Sequence, residues 1–464
     1  MRPTDVRIVD VELFLIPVQT RMPYKFGAES LDSVVCGRAR VTVEKSDGTR
    51  AVGWGETPLS VPWVWPSSLP YQVRLDRLIK FCQELTQRVA ASKLAGHALE
   101  IGVQLIENVL SEQLQKDLDQ SADALPYLAS LVICSIFDQA VHDAYGVANR
   151  IDIYQAYGKD FLDRSVADFF TGDLMTPEVR SAFAGRYLDE FLIANPPHTI
   201  PVWHSVGGSD PIDADQITDQ HPRDDYPVSL RDWISADGLK CLKVKLCGTD
   251  SEWDLRRMID VGTLSLELGV TALSADFNCM VTDVDYVNQI LDRLKTDHRA
   301  IWDLILYVEQ PFPYELDDLM LDVQSVSARK PLFLDESAHD WRHVELGRSL
   351  GWTGVALKTC KTQTGALLSL CWAKVHDMPL MVQDLTNPML AMVPHARLAA
   401  HAGTIMGVEA NGMQFYPAAS AEQAKIHPRL YRRHDGVLDL STLGGAGFGY
   451  RVDLMSESTL RPES

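Results

Sequence analysis

The sequence predicts an α/β protein, a (β/α)8 barrel of the TIM type with an α+β domain at its N-terminus. Three observations predict it. After Ile200, short apolar runs alternate with longer stretches of helical spacing, and eight such runs can be counted. Eight strand-helix units are what a closed parallel barrel requires. The first sixty residues alternate polar and apolar in the manner of half-buried strands, and the region from Tyr71 to Tyr157 lengthens to a helical period. With 464 residues, 46% of them apolar, the chain can bury a barrel and a second unit.

In chain order, Ile8–Pro17, Ala39–Glu44 and Ala51–Glu56 read as strands of a small antiparallel sheet, with Ser46-Asp47-Gly48 as a turn. Within the helical region, Leu128–Tyr145 carries Leu131, Val132, Ser135, Ile136 and Ala140 at spacings that predict one buried stripe. The barrel strands are expected near Ile200–His204, Cys241–Cys247, Leu273–Asn278, Leu306–Gln310, Leu332–Glu336, Gly354–Lys358, Leu380–Asp384 and Met406–Asn411. Thr249-Asp250-Ser251-Glu252 fits a capping box ahead of a helix from Trp253 to Leu268, with Gly269 placed to end it. Two segments depart from the repeat. Gly207–Gly238 is long for a strand-to-helix connection and is expected to cover the barrel mouth. The tail from Ala418 has no barrel element left to supply and is expected to return to the N-terminal domain. The division is therefore 1–198, 199–417 and 418–464.

A net charge of -20, from 43 Lys+Arg against 63 Asp+Glu, repels a phosphate backbone, and no basic run offsets it, so nucleic acid is not expected as a partner. The eight cysteines are scattered without a CxxC pair, which reads as reduced thiols inside a cell. Met1–Gln19 carries five charges (Arg2, Asp5, Arg7, Asp10, Glu12) and no long apolar core, so neither a signal peptide nor a membrane span is expected there. A soluble cytoplasmic protein is the expectation.

Side chains alternate faces along a strand, so in Cys241–Cys247 Leu242, Val244 and Leu246 meet the helices while Lys243 and Lys245 point into the barrel. The same parity sends Asp276, Asn278, Glu309 and Lys358 inward. Three successive strands end in Asp276, Glu309 and Asp335-Glu336, spaced 33 and 26 residues apart. Adjacent carboxylates repel unless a cation joins them, and oxygen-only ligands suit Mg²⁺, one per site. Parity leaves open whether Asp335 or Glu336 is the third ligand. Lys245 on strand two and Lys358 on strand six face each other across an eight-strand ring, the geometry for taking a proton from one face of a carbon and returning it to the other. A lysine desolvated beside cations is expected to have a lowered pKa. Lys361 keeps open the alternative that the segment after Lys358 is an exposed loop. His204, Trp54 and the pair Asp138 and Asp143 read as scaffold, and Asp210–Asp225 as a solvated acidic loop. A glycosidase pair of Asp276 and Glu309, and a non-catalytic metal- or ligand-binding barrel, are the rival readings.

Lys243-Val244-Lys245, Asp276-Phe277-Asn278, Glu309-Gln310-Pro311, Asp335-Glu336-Ser337 and Lys358, in this order, resemble the enolase superfamily, closest to the muconate-lactonizing-enzyme type of the mandelate racemase/muconate lactonizing enzyme family. Gly53-Trp54-Gly55-Glu56 resembles that family's capping-domain motif, and Ala129–Gly158 the helix pair before its barrel. The resemblance implies Mg²⁺ on Asp276, Glu309 and Asp335, Lys245 and Lys358 as the acid/base pair, and Lys243 assisting electrostatically. It further implies a small carboxylate substrate, racemised or epimerised through an enediolate, with acid-sugar dehydration by a lyase and cycloisomerisation as alternatives, and a homo-oligomer. Capping loops shape specificity in the family, which singles out Arg21, Tyr24, Lys25, Phe26, Trp63 and Trp65. Asn278, Glu336, Glu409 and Tyr24 are the candidates for binding substrate or supporting the site. Glu409-Ala410-Asn411 stands where dipeptide epimerases carry Asp-x-Asp, which weakens a dipeptide assignment. Gln383-Asp384 and a remote His395 speak against the mandelate-racemase branch.

Overall fold

A computed structural model describes residues 2–26, 29–120 and 123–461. Strands β1 (Val6–Phe26), β2 (Glu29–Lys45) and β3 (Arg50–Pro58), with the short β4 (Ala95–Gly96), form an antiparallel sheet in the order β3-β2-β1-β4. These strands run further than their alternation alone predicts, because the sheet carries Tyr24 and Leu31 out over the barrel. Gly48, with φ 83, makes the turn between β2 and β3.

Helices α1 (Tyr71–Ser92) and α2 (Tyr127–Asn149) pack against the sheet. The glycines of Gly53-Trp54-Gly55 permit the approach: a Cβ on Gly53 would lie 2.1 Å from the Ala144 nitrogen, and one on Gly55 2.2 Å from the Ile136 carbonyl oxygen. The expected single stripe on α2 is corrected, since nearly every residue from Leu128 to Ala148 is buried. The reason is that α2 lies between the sheet and the barrel. Its polar residues serve both sides: Asp143 accepts the N–H groups of Trp54 and Phe448, and Asp138 accepts the N–H and hydroxyl of Thr364.

Eight parallel strands follow: β5 (Thr199–Val206), β6 (Cys241–Lys245), β7 (Ala272–Asp276), β8 (Ile305–Glu309), β9 (Leu332–Leu334), β10 (Gly354–Leu357), β11 (Leu380–Val382) and β12 (Val408–Glu409). Each overlaps an expected span. They pair in sequence from β5 to β11, and β12 pairs back onto β5; no ladder joins β11 to β12 among the described residues, so the ring is nearly closed. Trp203, Tyr307 and Phe333 fill the barrel's lower interior beside Cys241, Ala272 and Ala356, large against small.

Helix α3 (Leu230–Asp237), capped by Ser229, takes up the end of the 207–238 stretch. The loop before it is pinned by Arg21, which donates to Asp224 at 2.6 Å and to the carbonyls of Tyr226 and Pro227. In helix α4 (Ser251–Leu268) the cap is Asp250, accepting from the Trp253 N–H, in place of the expected Thr249 box; Gly269 ends the helix at φ 71. The tail pairs β13 (Val437–Asp439) antiparallel with β5 and continues until Arg38 donates to the carbonyls of Thr459 and Leu460. All eight cysteines are free thiols. No helix among the described residues is long and apolar enough to cross a membrane.

Candidate active site

The strand ends bring the inward residues together under the N-terminal sheet. Lys243 and Lys245 rise from β6, as alternation requires. Lys243, 2% exposed, donates to Glu309 Oε1 at 2.5 Å and Glu409 Oε2 at 3.0 Å, and lies 3.1 Å from Asp276 Oδ2. Lys245 donates to Asp276 Oδ2 at 2.5 Å and Asn278 Oδ1 at 3.0 Å. Across the ring, Lys358 donates to the Asp384 carbonyl at 2.9 Å and lies 3.2 Å from Asp335 Oδ2.

Backbone in the left-handed region fixes these ends. Asn278 (φ 51) and Cys279 (φ 62) turn the chain after β7 so that the Asn278 N–H returns to Asp276 Oδ1 at 2.8 Å. Gln310 (φ 28) follows β8, and its Oε1 accepts from the Asp335 N–H and the Ser337 hydroxyl, fixing the end of β9. Such conformations cost about 1–3 kcal/mol each and persist where the surroundings over-determine them.

Burial pushes Glu309 well above the usual carboxylate range; Lys243 opposes this, while Asp276, Asp335 and Glu409 add to it. Burial, then Asp335 and Asp276, raise Glu336 to about 7, and burial with Glu409 raises Asp384 to about 6. For Asp276 burial is outweighed by Lys245 and Lys243, and for Asp335 by Lys358, Lys361 and Lys243, so both lie below the usual range. The expected lowering of Lys245 and Lys358 concerns lysines beside a cation; with their protein neighbours alone, both lie on the other side of the ordinary value. Burial does pull Lys245 and Lys358 down, but Asp276 and Asp335 beside them hold both above the ordinary lysine value, because their nearest neighbours are carboxylates and not cations.

The residues fit a hard divalent ion. Six buried carboxyl groups (Asp276, Glu309, Asp335, Glu336, Asp384, Glu409) surround four lysines (Lys243, Lys245, Lys358, Lys361), so acidic groups outnumber basic ones by two. Asp335 Oδ1 and Glu336 Oε2 are buried with no hydrogen-bond partner, which costs free energy unless a cation or water meets them. Among the described residues no three carboxylates already converge as a finished cage. The Lys243 ammonium occupies the point where Asp276, Glu309 and Glu409 meet.

The roof comes from the N-terminal domain. Tyr24 lines the cavity with Lys245 and Lys358, its ring edge-on to Phe415 at 4.7 Å. Trp63 donates its indole N–H to Glu336 and holds Lys358 5.5 Å from its ring centre. Arg21 and Trp65 lie elsewhere, one latching the 207–227 loop and the other under Arg77. The side chains of Lys25 and Phe26 lie outside the described residues. Glu409 is taken up by Lys243, so it does not stand open to an external cation. His204 meets Arg433 and Trp233 on the outer face of β5, and His395 sits behind β12 on the Glu409 carbonyl.

Sequence reasoning missed Lys361. The loop alternative fails for it: Lys361 is 3% exposed, donates to the Asp335 carbonyl and lies 3.8 Å from Asp335 Oδ1. Burial lowers its pKa. Its signal was the spacing Lys358-Thr359-Cys360-Lys361, in which one tight turn returns the second lysine to the same mouth.

Residues 225–456 match the model of the family described as Enolase C-terminal domain-like. Among curated proteins none matches significantly. Solved structures similar to the chain include a dipeptide epimerase from Cytophaga hutchinsonii complexed with Mg and the dipeptide D-Ala-L-Val, at 17% identity and TM-score 0.61, covering 96% of this chain and 95% of that one. An N-succinyl Arg/Lys racemase from Bacillus cereus is 18% identical at TM-score 0.58, over 88% and 87% of the two chains. A muconate lactonizing enzyme from Mycobacterium smegmatis complexed with muconolactone is 15% identical at TM-score 0.60, over 96% of each. Identities this low speak for the fold alone, while the family match speaks for descent. The chain belongs to the mandelate racemase/muconate lactonizing enzyme family of the enolase superfamily, a family of enzymes.

Proposed function

We propose that this enzyme removes and returns the proton alpha to the carboxylate of a small substrate, racemising or epimerising it, with Mg²⁺ held by Asp276, Glu309 and Asp335. One observation carries the reading. Lys245 on β6 and Lys358 directly after β10 stand four strands apart, and between them the ends of β7, β8 and β9 present the row of carboxylates. An alpha carbon held between the two ammonium groups exposes one face to each.

When bound, Mg²⁺ supplies Lewis acidity to the substrate carboxylate and two positive charges that lower the pKa of nearby lysines. Whichever lysine is neutral takes the alpha proton, and the opposite ammonium delivers one to the other face. Lys243, protonated against its carboxylates, contributes a fixed positive charge where negative charge develops. Asn278 keeps the Lys245 amine aimed, and Trp63 and Tyr24 keep water from the cavity. A positioned base contributes about 10²–10⁴-fold in rate. Elimination of water or ring closure uses the same proton abstraction and differs in what leaves next, so dehydration and cycloisomerisation stand second and third. The epimerase and racemase among the similar structures, and the Mg in one of them, support the order and the metal. The scattered reduced cysteines support a cytoplasmic location, and family resemblance supports a homo-oligomer.

The test is solvent-deuterium incorporation into a pooled library of sugar acids, N-acylated amino acids and dipeptides, with Mg²⁺ and with chelator, read by mass spectrometry. Metal-dependent uptake that both Lys245→Ala and Lys358→Ala abolish is expected. Uptake that survives chelator, or that survives both substitutions, would overturn the reading.

A further inference from the structure

One ammonium, that of Lys243, meets carboxylates from three strands: Asp276 on β7, Glu309 on β8 and Glu409 on β12. Under the proposed function, on which this inference rests, Asp276 and Glu309 are ligands of the divalent ion. A divalent ion approaches carboxylate oxygens to about 2.1 Å, and an ammonium within about 3 Å of the same oxygens is repelled by it. Lys243 cannot keep all three partners when the ion is bound.

The geometry points to Glu409 as the positioning residue that draws Lys243 off the metal ligands. It is the one member of the trio not proposed to bind the ion. It is also held ready: Asn411 donates to Glu409 Oε1 at 2.7 Å, which leaves Oε2 on Lys243 at 3.0 Å. Asn411 is in turn fixed, donating its own N–H to Asp384 Oδ2 and accepting the Ser205 N–H. Glu409 is 3% exposed, so bulk solvent screens its attraction for the ammonium only weakly. Without its carboxylate, Lys243 is left with Asp276 and Glu309 alone and competes with the ion for both.

The test uses Mn²⁺ alone as probe, titrated into the full-length wild type, Glu409→Gln, Lys243→Met and the double variant, with free Mn²⁺ read by electron paramagnetic resonance and folding by circular dichroism. Glu409→Gln is expected to weaken Mn²⁺ binding about 10- to 100-fold, the usual range for a residue acting on metal ligands from behind. In the Lys243→Met background the same change is expected to have less than about a 3-fold effect, since sites that act through one another are not additive. An equal weakening in both backgrounds would reduce Glu409 to its charge and overturn the inference, as would no weakening in either. Should Glu409→Gln not fold, Glu409→Asp decides: its shorter carboxylate must weaken Mn²⁺ binding in the wild-type background and leave it unchanged in Lys243→Met, and an equal effect in both, or none in either, overturns the inference. Wild-type binding that Asp276→Asn leaves intact would instead show the ligand assignment to be wrong, and the inference would fall with it.

Discussion

The indole N–H of Trp63 reaches Glu336 Oε1 at 2.9 Å, a hydrogen bond that crosses from the N-terminal domain into the barrel mouth. Glu336 Oε2 is buried without a hydrogen-bond partner, so the Trp63 donor at Oε1 weighs heavily for this carboxylate. Trp63→Phe keeps the buried ring and removes the donor, at a cost of about 1–3 kcal/mol for the acceptor left behind. Metal-dependent deuterium exchange is expected to fall about 10-fold or more, with a small loss in the urea unfolding midpoint. Unchanged exchange in a folded Trp63→Phe protein would show that the contact only holds the domains together.

Much of this architecture was legible because a strand has period two. Once Lys243 and Lys245 were set on one face of an apolar run, their direction followed, and so did those of Asp276 and Glu309 at the next two strand ends. What stayed hidden depends on turns and on approach across the sequence. Lys361 enters the site through a single turn after β10, which no periodicity announces. The burial of α2 on every side requires knowing that a barrel covers the face that the sheet leaves open. The charge state of Lys245 and Lys358 turns on Asp276 and Asp335, each on the neighbouring strand, 31 and 23 residues away, so the residues beside each lysine in the chain do not announce it.

The two glycines of β3 carry the contact between the sheet and α2. Gly55→Ala would place a methyl 2.2 Å from a backbone oxygen and 2.6 Å from the Ala140 nitrogen, so the helix must shift as a body. Overpacking of this kind costs about 1–3 kcal/mol, and more where backbone is the neighbour. Gly444→Ala has nothing within 4 Å of the new methyl and serves as the control. Thermal unfolding is expected to separate the two clearly. Equal melting temperatures would mean that α2 does not pack where it is placed.

Arg38 and Glu56 form a buried pair, 1% and 0% exposed, at 2.5 Å. Arg38 also holds the carbonyls of Thr459 and Leu460. Arg38→Met leaves the Glu56 carboxylate buried without its cation, which typically costs about 3–5 kcal/mol. The last turn of the tail loses its attachment at the same time. Limited proteolysis is therefore expected to cleave after residue 440 in the variant under conditions where the wild type resists, and a wild-type digestion pattern would disprove the anchoring role.

Asp138 links stability to pH. Burial is the main cause that raises its pKa from 3.8 to about 6, partly opposed by the hydrogen bonds of Thr364. His142, 3.7 Å away, offers no charge in return, because burial lowers its own pKa to about 3. The folded-state pKa lies above the unfolded one, so the contribution of Asp138 is fully present below about pH 4 and is lost as pH rises through about 6. Asp138→Asn removes this titration, and the Thr364 hydroxyl can rotate to accept from the new amide. The stability of wild type minus that of Asp138→Asn is therefore expected to decline between pH 4 and pH 7. The decline should total about 3 kcal/mol, because each tenfold difference in proton affinity between the folded and unfolded chain is worth roughly 1.4 kcal/mol. Asp143, also raised by burial, to about 7, titrates in both proteins and cancels in the difference. Urea unfolding at four pH values measures it, and parallel curves would mean that Asp138 is ionised in the fold throughout, its charge met by the Thr364 donors alone.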